Sequence, residues 1–152
     1  MVPLWSATTK ALAEKNYRWL DSTHKMLCRL SIAALAVGLC IIPIMQPVIN
    51  IWLRDKSILI NPVMAIPFAI YVAEETFNGA NATIANGSNW IKFQMWTAPI
   101  GALLNFPLTW LLNEIFHNWA VIVVANIISL LPIAIGQFIY IRKKIKICIG
   151  DS

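Results

Sequence analysis

Two adjacent carboxylates, Glu74 and Glu75, and three asparagines interrupt an otherwise apolar part of the chain, residues 71–87 (YVAEETFNGANATIANG). Carboxylates accept hydrogen bonds and attract cations, and amides both donate and accept, so such a set can hold a polar solute. In a helix Glu74, Asn78 and Asn81 recur at i, i+4 and i+7 and therefore share one face. Glu75 lies about 100° round the helix from Glu74, at the edge of that face. The spacing predicts a polar stripe along one side of a helix.

This stripe cannot face lipid. Residues 62–85 contain seven Leu, Ile, Phe or Val side chains, which favour a membrane by roughly 2–4 kcal/mol in total on an insertion scale. Two ionised carboxylates oppose insertion by roughly 5–7 kcal/mol on the same scale. The stripe must therefore face other helices or a water-filled cavity.

Two interpretations of the stripe follow. In the first, the four residues line a polar path for a transported solute, as carboxylates at mid-depth in a membrane often do. In the second, they only hold helices together through hydrogen bonds. We expect the first. The predicted lining residues are Glu74, Glu75, Asn78 and Asn81.

The elements that position the stripe are apolar helices. The chain has 152 residues, of which 59% are hydrophobic and only 12% charged. It has uncharged runs of 24, 21 and 27 residues, after Arg29, Lys92 and Glu114 respectively. About 20 apolar residues suffice for a helix to cross the hydrocarbon core. The sequence predicts an all-α integral membrane protein with spans at about 30–52, 62–85, 93–112 and 119–141. The second span begins at Asn61-Pro62, a typical helix cap and first turn.

Positive charge is distributed unevenly about these four spans. Ten Lys or Arg residues fall on one side and only Arg54 and Lys56 on the other, which predicts that both chain ends are cytoplasmic. The flanking segments are then an amphipathic cytoplasmic or interfacial segment, residues 1–28, and a basic cytoplasmic tail, residues 143–152. Arg29 and Lys92 are candidate contacts for a phosphate or for the membrane interface, and snorkelling to the interface is the simpler role for Arg29.

Residue patterns for other kinds of chemistry are lacking. Cys28, Cys40 and Cys148 fit neither a metal site nor a disulfide framework. The sequence has no phosphate-binding glycine loop, paired-histidine metal motif or nucleophile elbow. We therefore expect no catalytic residues, no metal and no cofactor. The net charge of +5 is accounted for by membrane orientation and does not require a nucleic-acid partner.

Several landmarks in the sequence resemble polysaccharide and O-antigen flippases of the Wzx type, in the MOP (MATE-like) superfamily. The first is Pro3-Leu4-Trp5-Ser6-Ala7 with Ala11 and the segment NYRW at residues 16–19. The second is VINIWL at residues 48–53. The third is the turn IANGSNWIKFQ at residues 84–94, and the fourth is LLNFPLTWLL at residues 103–112. Asn16 stands where the family commonly has an acidic or polar residue, and Asn89 departs from the pattern because it replaces a turn glycine.

The resemblance implies a function in transport rather than catalysis. Family members have about twelve spans in two lobes and move a polyprenyl-pyrophosphate-linked glycan across the bacterial inner membrane. This chain matches only the last third, which implies a truncated product or one piece of a split transporter that needs a missing N-terminal lobe or a partner membrane subunit. Two alternatives remain open at the sequence level: a small four-span multidrug-type exporter, and a membrane subunit that transports nothing.

Overall fold

A computed structural model describes residues 2–53, 59 and 61–150, and within these residues the chain forms α-helices and no strand. The helices are α1 (Val2–Ala13), α2 (Tyr17–Trp52), α3 (Pro62–Gly87), α4 (Lys92–Phe116) and α5 (Val121–Gly150). The prediction of an all-α fold is confirmed. Arg54 and Lys56, the two basic residues on the less basic side, lie outside the described residues.

The amphipathic N-terminal segment divides into α1 and the beginning of α2. Lys15 adopts a left-handed conformation with φ 54°, which ends α1 and turns the chain. Asn16 then caps α2, since its side-chain oxygen accepts a hydrogen bond from the Trp19 backbone N–H at 3.2 Å. From there α2 continues without a break through the predicted first span to Trp52.

Helices α2 and α3 form an antiparallel pair. His24 near the start of α2 meets Asn81 near the end of α3, and Gly38 lies against Ala69. A Cβ added at Gly38 would lie 3.0 Å from the Ala69 Cβ atom, so the absence of a side chain sets this close approach. The start of α3 is capped as predicted, because the Asn61 side chain accepts from the Val63 backbone N–H at 3.0 Å.

Helices α4 and α5 form a second antiparallel pair. A short turn, residues 88–91, joins the end of α3 to the start of α4. The turn contains Asn89 in the left-handed region, with φ 56°. Asparagine tolerates this conformation better than other residues with a side chain. Asn89 thus meets the backbone requirement of a position where the resemblance implies glycine.

Both ends of the described chain lie at the same end of the bundle. Thr9 of α1 donates a hydrogen bond to the Gly87 carbonyl at 2.9 Å. Asp21 of α2 pairs with Arg142 of α5 and, at 2.6 Å, with Lys25. Burial raises the pKa of the Asp21 carboxyl, but the Lys25 hydrogen bond and the Arg142 charge outweigh it, so this pKa lies below its ordinary value. The residues predicted as a basic tail are helical to Gly150, as part of α5.

The interior of the bundle is a small apolar cluster at this same end. It joins α2, α3 and α5 through side chains that water hardly reaches: Leu20, Leu27, Ala80, Ile84, Ala85, Ile141 and Ile145. The buried positions of α2, from Leu20 to Ser31, recur at helical spacing. Most buried positions of α2 therefore precede residue 30, and the predicted first span begins at that residue.

Among the described residues, two helices are long and apolar enough to cross a membrane, α2 and α5, and not four. None of the most apolar stretch of α2 is buried in the bundle, and only 28% of that of α5. A core helix of a soluble protein would be largely covered. α3 does not pass the same test, and it carries Glu74, Glu75 and the asparagines. α4 does not pass either, and its apolar run is interrupted by Pro99, Asn105 and Pro107.

Candidate functional site

Glu74 lies on a cavity of about 400 Å³ between α2, α3 and α5. Its side chain is only 5% exposed. Neither carboxyl oxygen has a hydrogen-bond partner among the residues that the structure describes. Buried polar groups are nearly always paired with protein or water, because an unpaired group loses its hydration without compensation. An unpartnered buried carboxyl on a cavity wall therefore marks a place where a ligand, an ion or water can bind.

Two further polar residues line this cavity, and both come from α2. Ser31 is buried, and its hydroxyl oxygen also lacks a partner in the described part of the chain. Arg29 is exposed, and part of its side chain belongs to the lining. No ion pair within 4 Å joins Arg29 to Glu74 in residues 2–53, 59 and 61–150. Glu74 and Arg29 thus both belong to the lining without forming an ion pair with each other.

The remaining walls are apolar. Phe77 of α3 and Phe138 of α5 pack against each other with ring centroids 5.6 Å apart. Three of the aliphatic lining residues are exposed, Ile32, Ile70 and Leu131, at 70%, 41% and 40%. Pockets that hold small ligands have this character, with mainly apolar walls and a few polar groups that fix orientation.

Asn81 has a different environment from Glu74, although the two share one face of α3. Its side chain is fully buried, and its oxygen lies 2.8 Å from His24 Nε2 of α2. Its amide nitrogen donates to the Ala134 carbonyl of α5 at 3.3 Å. Asn81 therefore joins three helices and does not line the Glu74 cavity. At Asn81 the geometry therefore fits the second interpretation, in which polar residues hold helices together through hydrogen bonds.

The other predicted site residues also lie away from the cavity. Glu75 is exposed and Asn78 is partly exposed, and neither lines the cavity. Lys92 is exposed at the start of α4. Lys92 lies beyond the end of α3 at Gly87. Gly87 is 13 residues after Glu74, or about 20 Å along the helix. The structure brings together only Glu74 and Arg29 from the predicted set.

Sequence reasoning missed the contribution of Ser31 and the proximity of Arg29 to Glu74. A signal for both was present in the amphipathic pattern before residue 30, since Leu20, His24, Leu27 and Ser31 follow one helical face. That pattern predicts a packed face in this part of α2. Residues on or beside this face, such as Ser31 and Arg29, are then expected to lie near α3.

A second polar cluster lies between α4 and α5. Asn105 donates to the Asn126 side chain and, at 3.3 Å, to the Ser129 hydroxyl, while Thr109 donates to the Asn105 oxygen at 3.2 Å. These groups satisfy one another, so the cluster holds the two helices together. Nowhere in the described residues do three or more His, Cys, Asp or Glu side chains form a metal-binding group.

Comparison with protein-family models, with curated proteins and with solved structures gives no match for this chain. The site geometry and the sequence patterns are therefore the basis for the function proposed below.

Proposed function

We propose that this chain is a multi-pass protein of the bacterial inner membrane, in which all four long helices cross the bilayer and both ends are cytoplasmic. Support comes from the alternating direction of α2 to α5 and from the apolar side chains left exposed on them. On α4 only Gly101 is buried. Apolar side chains that are exposed along most of a helix, as on α4, are typical of a contact with a membrane or with another protein. Glu74 and Asn81 of α3 are buried within the bundle and so are kept away from lipid, whereas Glu75 is exposed on the surface of α3.

Within this class, we propose that the chain forms one wall of a flippase for a polyprenyl-pyrophosphate-linked oligosaccharide of O-antigen, capsule or exopolysaccharide. The resemblance in the sequence supports this family. The single structural observation that supports a transport role is the buried, unpartnered Glu74 carboxyl on the cavity. A residue that served only to join helices would be expected to have a partner, as Asn81 does.

No bond is made or broken in such a function. The polar groups of the wall would accommodate the hydrophilic part of the substrate while its lipid tail stays in the bilayer. Movement of this helix group against a second lobe would then expose the substrate to the opposite face. Four spans enclose only part of such a path, so a second lobe or a partner subunit would supply the rest.

Complementation tests this proposal. In a strain that lacks the flippase for a lipid-linked oligosaccharide, the chain alone should not restore surface polysaccharide. Coexpression with a protein that supplies the first eight spans should restore it. In the restored system Glu74→Gln should lower transport per molecule at an unchanged protein level, and Glu75→Gln is the matched control because Glu75 is exposed. Full transport by Glu74→Gln would contradict a role of this cavity in the path.

The second candidate function is a membrane subunit that transports nothing. It is favoured by the paired state of Asn81 and of the Asn105 cluster, which are packing contacts. Under this alternative, coexpression with the first eight spans would not restore surface polysaccharide, and Glu74→Gln would change only the protein level.

A further inference from the structure

Another cavity, with a volume of about 720 Å³, lies at the end of the bundle where α4 turns into α5. We propose that this cavity binds neutral sugar residues. Among the described residues its lining combines aromatic rings with amide and hydroxyl groups and has no charged side chain: Asn105, Phe106, Pro107, Thr109, Trp110, Asn113, Trp119 and Ile122. The inference takes the external position of the α4–α5 turn from the proposed function, but it does not depend on the flippase assignment.

Three aromatic side chains form most of the apolar lining. Phe106, Trp110 and Trp119 are all exposed, so a ligand in the cavity can reach their rings. The C–H groups on the face of a sugar ring are apolar, and contact with an aromatic ring removes both surfaces from water. Tyrosine and tryptophan side chains give such contact area at a low cost in conformational entropy.

Trp119 is held in position by its own surroundings. Its ring packs on Phe68 of α3 with ring centroids 5.5 Å apart. The Asn118 side-chain oxygen accepts a hydrogen bond from the Ala120 backbone N–H at 3.0 Å, which fixes the turn on both sides of Trp119. A ring that is already ordered loses less freedom when a ligand binds to it.

A polar stripe of Asn105, Thr109 and Asn113 lies beside the rings, with one residue in every turn over about 12 Å of α4. The Asn105 amide nitrogen donates to Asn126 and Ser129 of α5. The Thr109 hydroxyl donates to the Asn105 oxygen at 3.2 Å, so the Thr109 oxygen keeps lone pairs that can accept from a ligand. Asn113 is exposed and adds two amide donors and an acceptor.

The combined lining selects the class of ligand. Sugar hydroxyls both donate and accept hydrogen bonds, as the stripe requires, while the ring faces of the sugar suit the aromatic side chains. A charged ligand would lose part of its hydration and would find no opposite charge in the lining. A purely aromatic compound would contact the rings but would leave the polar stripe unpaired. Anchoring at the membrane interface accounts for tryptophan but not for the amides beside it.

Sugar binding to the full chain in phospholipid nanodiscs tests the proposal, since the head groups of sugar-based detergents would compete. Saturation-transfer NMR titrations would compare three neutral disaccharides, cellobiose, lactose and chitobiose, with cellobiouronic acid and benzyl alcohol. Empty nanodiscs give the background. We expect at least one neutral disaccharide to bind and cellobiouronic acid to bind about fivefold more weakly than cellobiose, because its carboxylate has no counter-charge in the cavity.

Two variants with matched controls assign the contacts. Trp110→Ala should weaken disaccharide binding about tenfold through loss of ring contact, and Asn113→Ala should weaken it about fivefold through loss of hydrogen bonds. Trp96→Ala and Glu114→Ala should retain wild-type binding, because both residues are exposed on α4 and lie outside the lining. Thermal unfolding of each variant checks that it is folded.

Three results would overturn the proposal. The first is that none of the neutral disaccharides binds above the empty-nanodisc background. The second is that disaccharide binding survives in both Trp110→Ala and Asn113→Ala. The third is that only benzyl alcohol binds and depends on Trp110 alone, which would indicate a site for aromatic compounds. Sugar binding is measured on this chain by itself and complementation on the two-part transporter, so either proposal can fail while the other holds.

Discussion

Glu74 and Asn81 lie on the same face of α3 but have opposite surroundings. Asn81 is bonded to α2 and α5, whereas Glu74 lies on a cavity without a partner in the described residues. Helical periodicity predicted that both point away from lipid. It could not predict which of them is satisfied, because the partner of Asn81 is His24, 57 residues earlier in the chain. Such long-range pairs depend on the register of two helices, which local spacing does not encode.

Cysteine labelling distinguishes these two environments directly. On a background without Cys28, Cys40 and Cys148, we expect Glu74→Cys to react with a small water-soluble thiol reagent because it lines a cavity with the exposed Arg29. We expect Asn81→Cys to be inert, since this position is fully buried between three helices. Labelling after unfolding in detergent confirms that each thiol is intact. An inert Glu74→Cys together with a reactive Asn81→Cys would contradict the assignment of cavity and packing roles.

At the scale of elements, α2 differs most from the sequence prediction. The uncharged run after Arg29 predicted a membrane segment that begins at about residue 30, and residues 1–28 were predicted as a separate amphipathic segment. In the structure residues 17–29 begin the same 36-residue helix and carry much of its packed face. The helix is about 54 Å long, so it exceeds the hydrocarbon thickness of about 30 Å. The four longer helices and their order were predictable, because three of them contain long uncharged runs and the other begins at the Asn61-Pro62 cap. The register of α2 on α3 was not, because it depends on Gly38, Ala69, His24 and Asn81.

The docking of α1 on α3 depends on the absence of a side chain at Gly87. A Cβ there would lie 2.6 Å from the Thr8 Cβ and 2.9 Å from the Trp5 carbonyl oxygen, so α1 would have to move. We expect Gly87→Ala to destabilise the protein by about 1–3 kcal/mol, as overpacking usually does, and to increase hydrogen exchange in α1.

Gly150→Ala is the matched control, because nothing lies within 4 Å of a Cβ at Gly150. This variant should leave both stability and the exchange of α1 amides unchanged. Slow, unaltered exchange of α1 in Gly87→Ala would show that α1 does not dock on α3 as described.

At the scale of the whole molecule, the distribution of basic residues agrees with the alternating direction of α2 to α5. The N-terminal helices, the α3–α4 turn and the end of α5 lie at one end of the bundle, and this end carries Lys10, Lys25, Lys92 and Arg142. The opposite end has the α4–α5 turn, where Trp119 packs on Phe68 with ring centroids 5.5 Å apart. This arrangement is compatible with the four crossings that we propose. Two crossings, by α2 and α5 alone, would place the polar helix α3 and the interrupted helix α4 on the same side of the membrane.

The position of the α3–α4 turn tests the four-span arrangement most directly. Reporters of cytoplasmic or external location would be inserted after Lys56, after Asn89, after His117 and after Lys146. Four spans predict an external reporter at the first and third sites and a cytoplasmic reporter at the second and fourth. The insertion after Asn89 is decisive, because two spans would leave it external together with its neighbours. A cytoplasmic reporter after Asn89 is the result that we predict, and an external one would contradict the proposed four-span architecture.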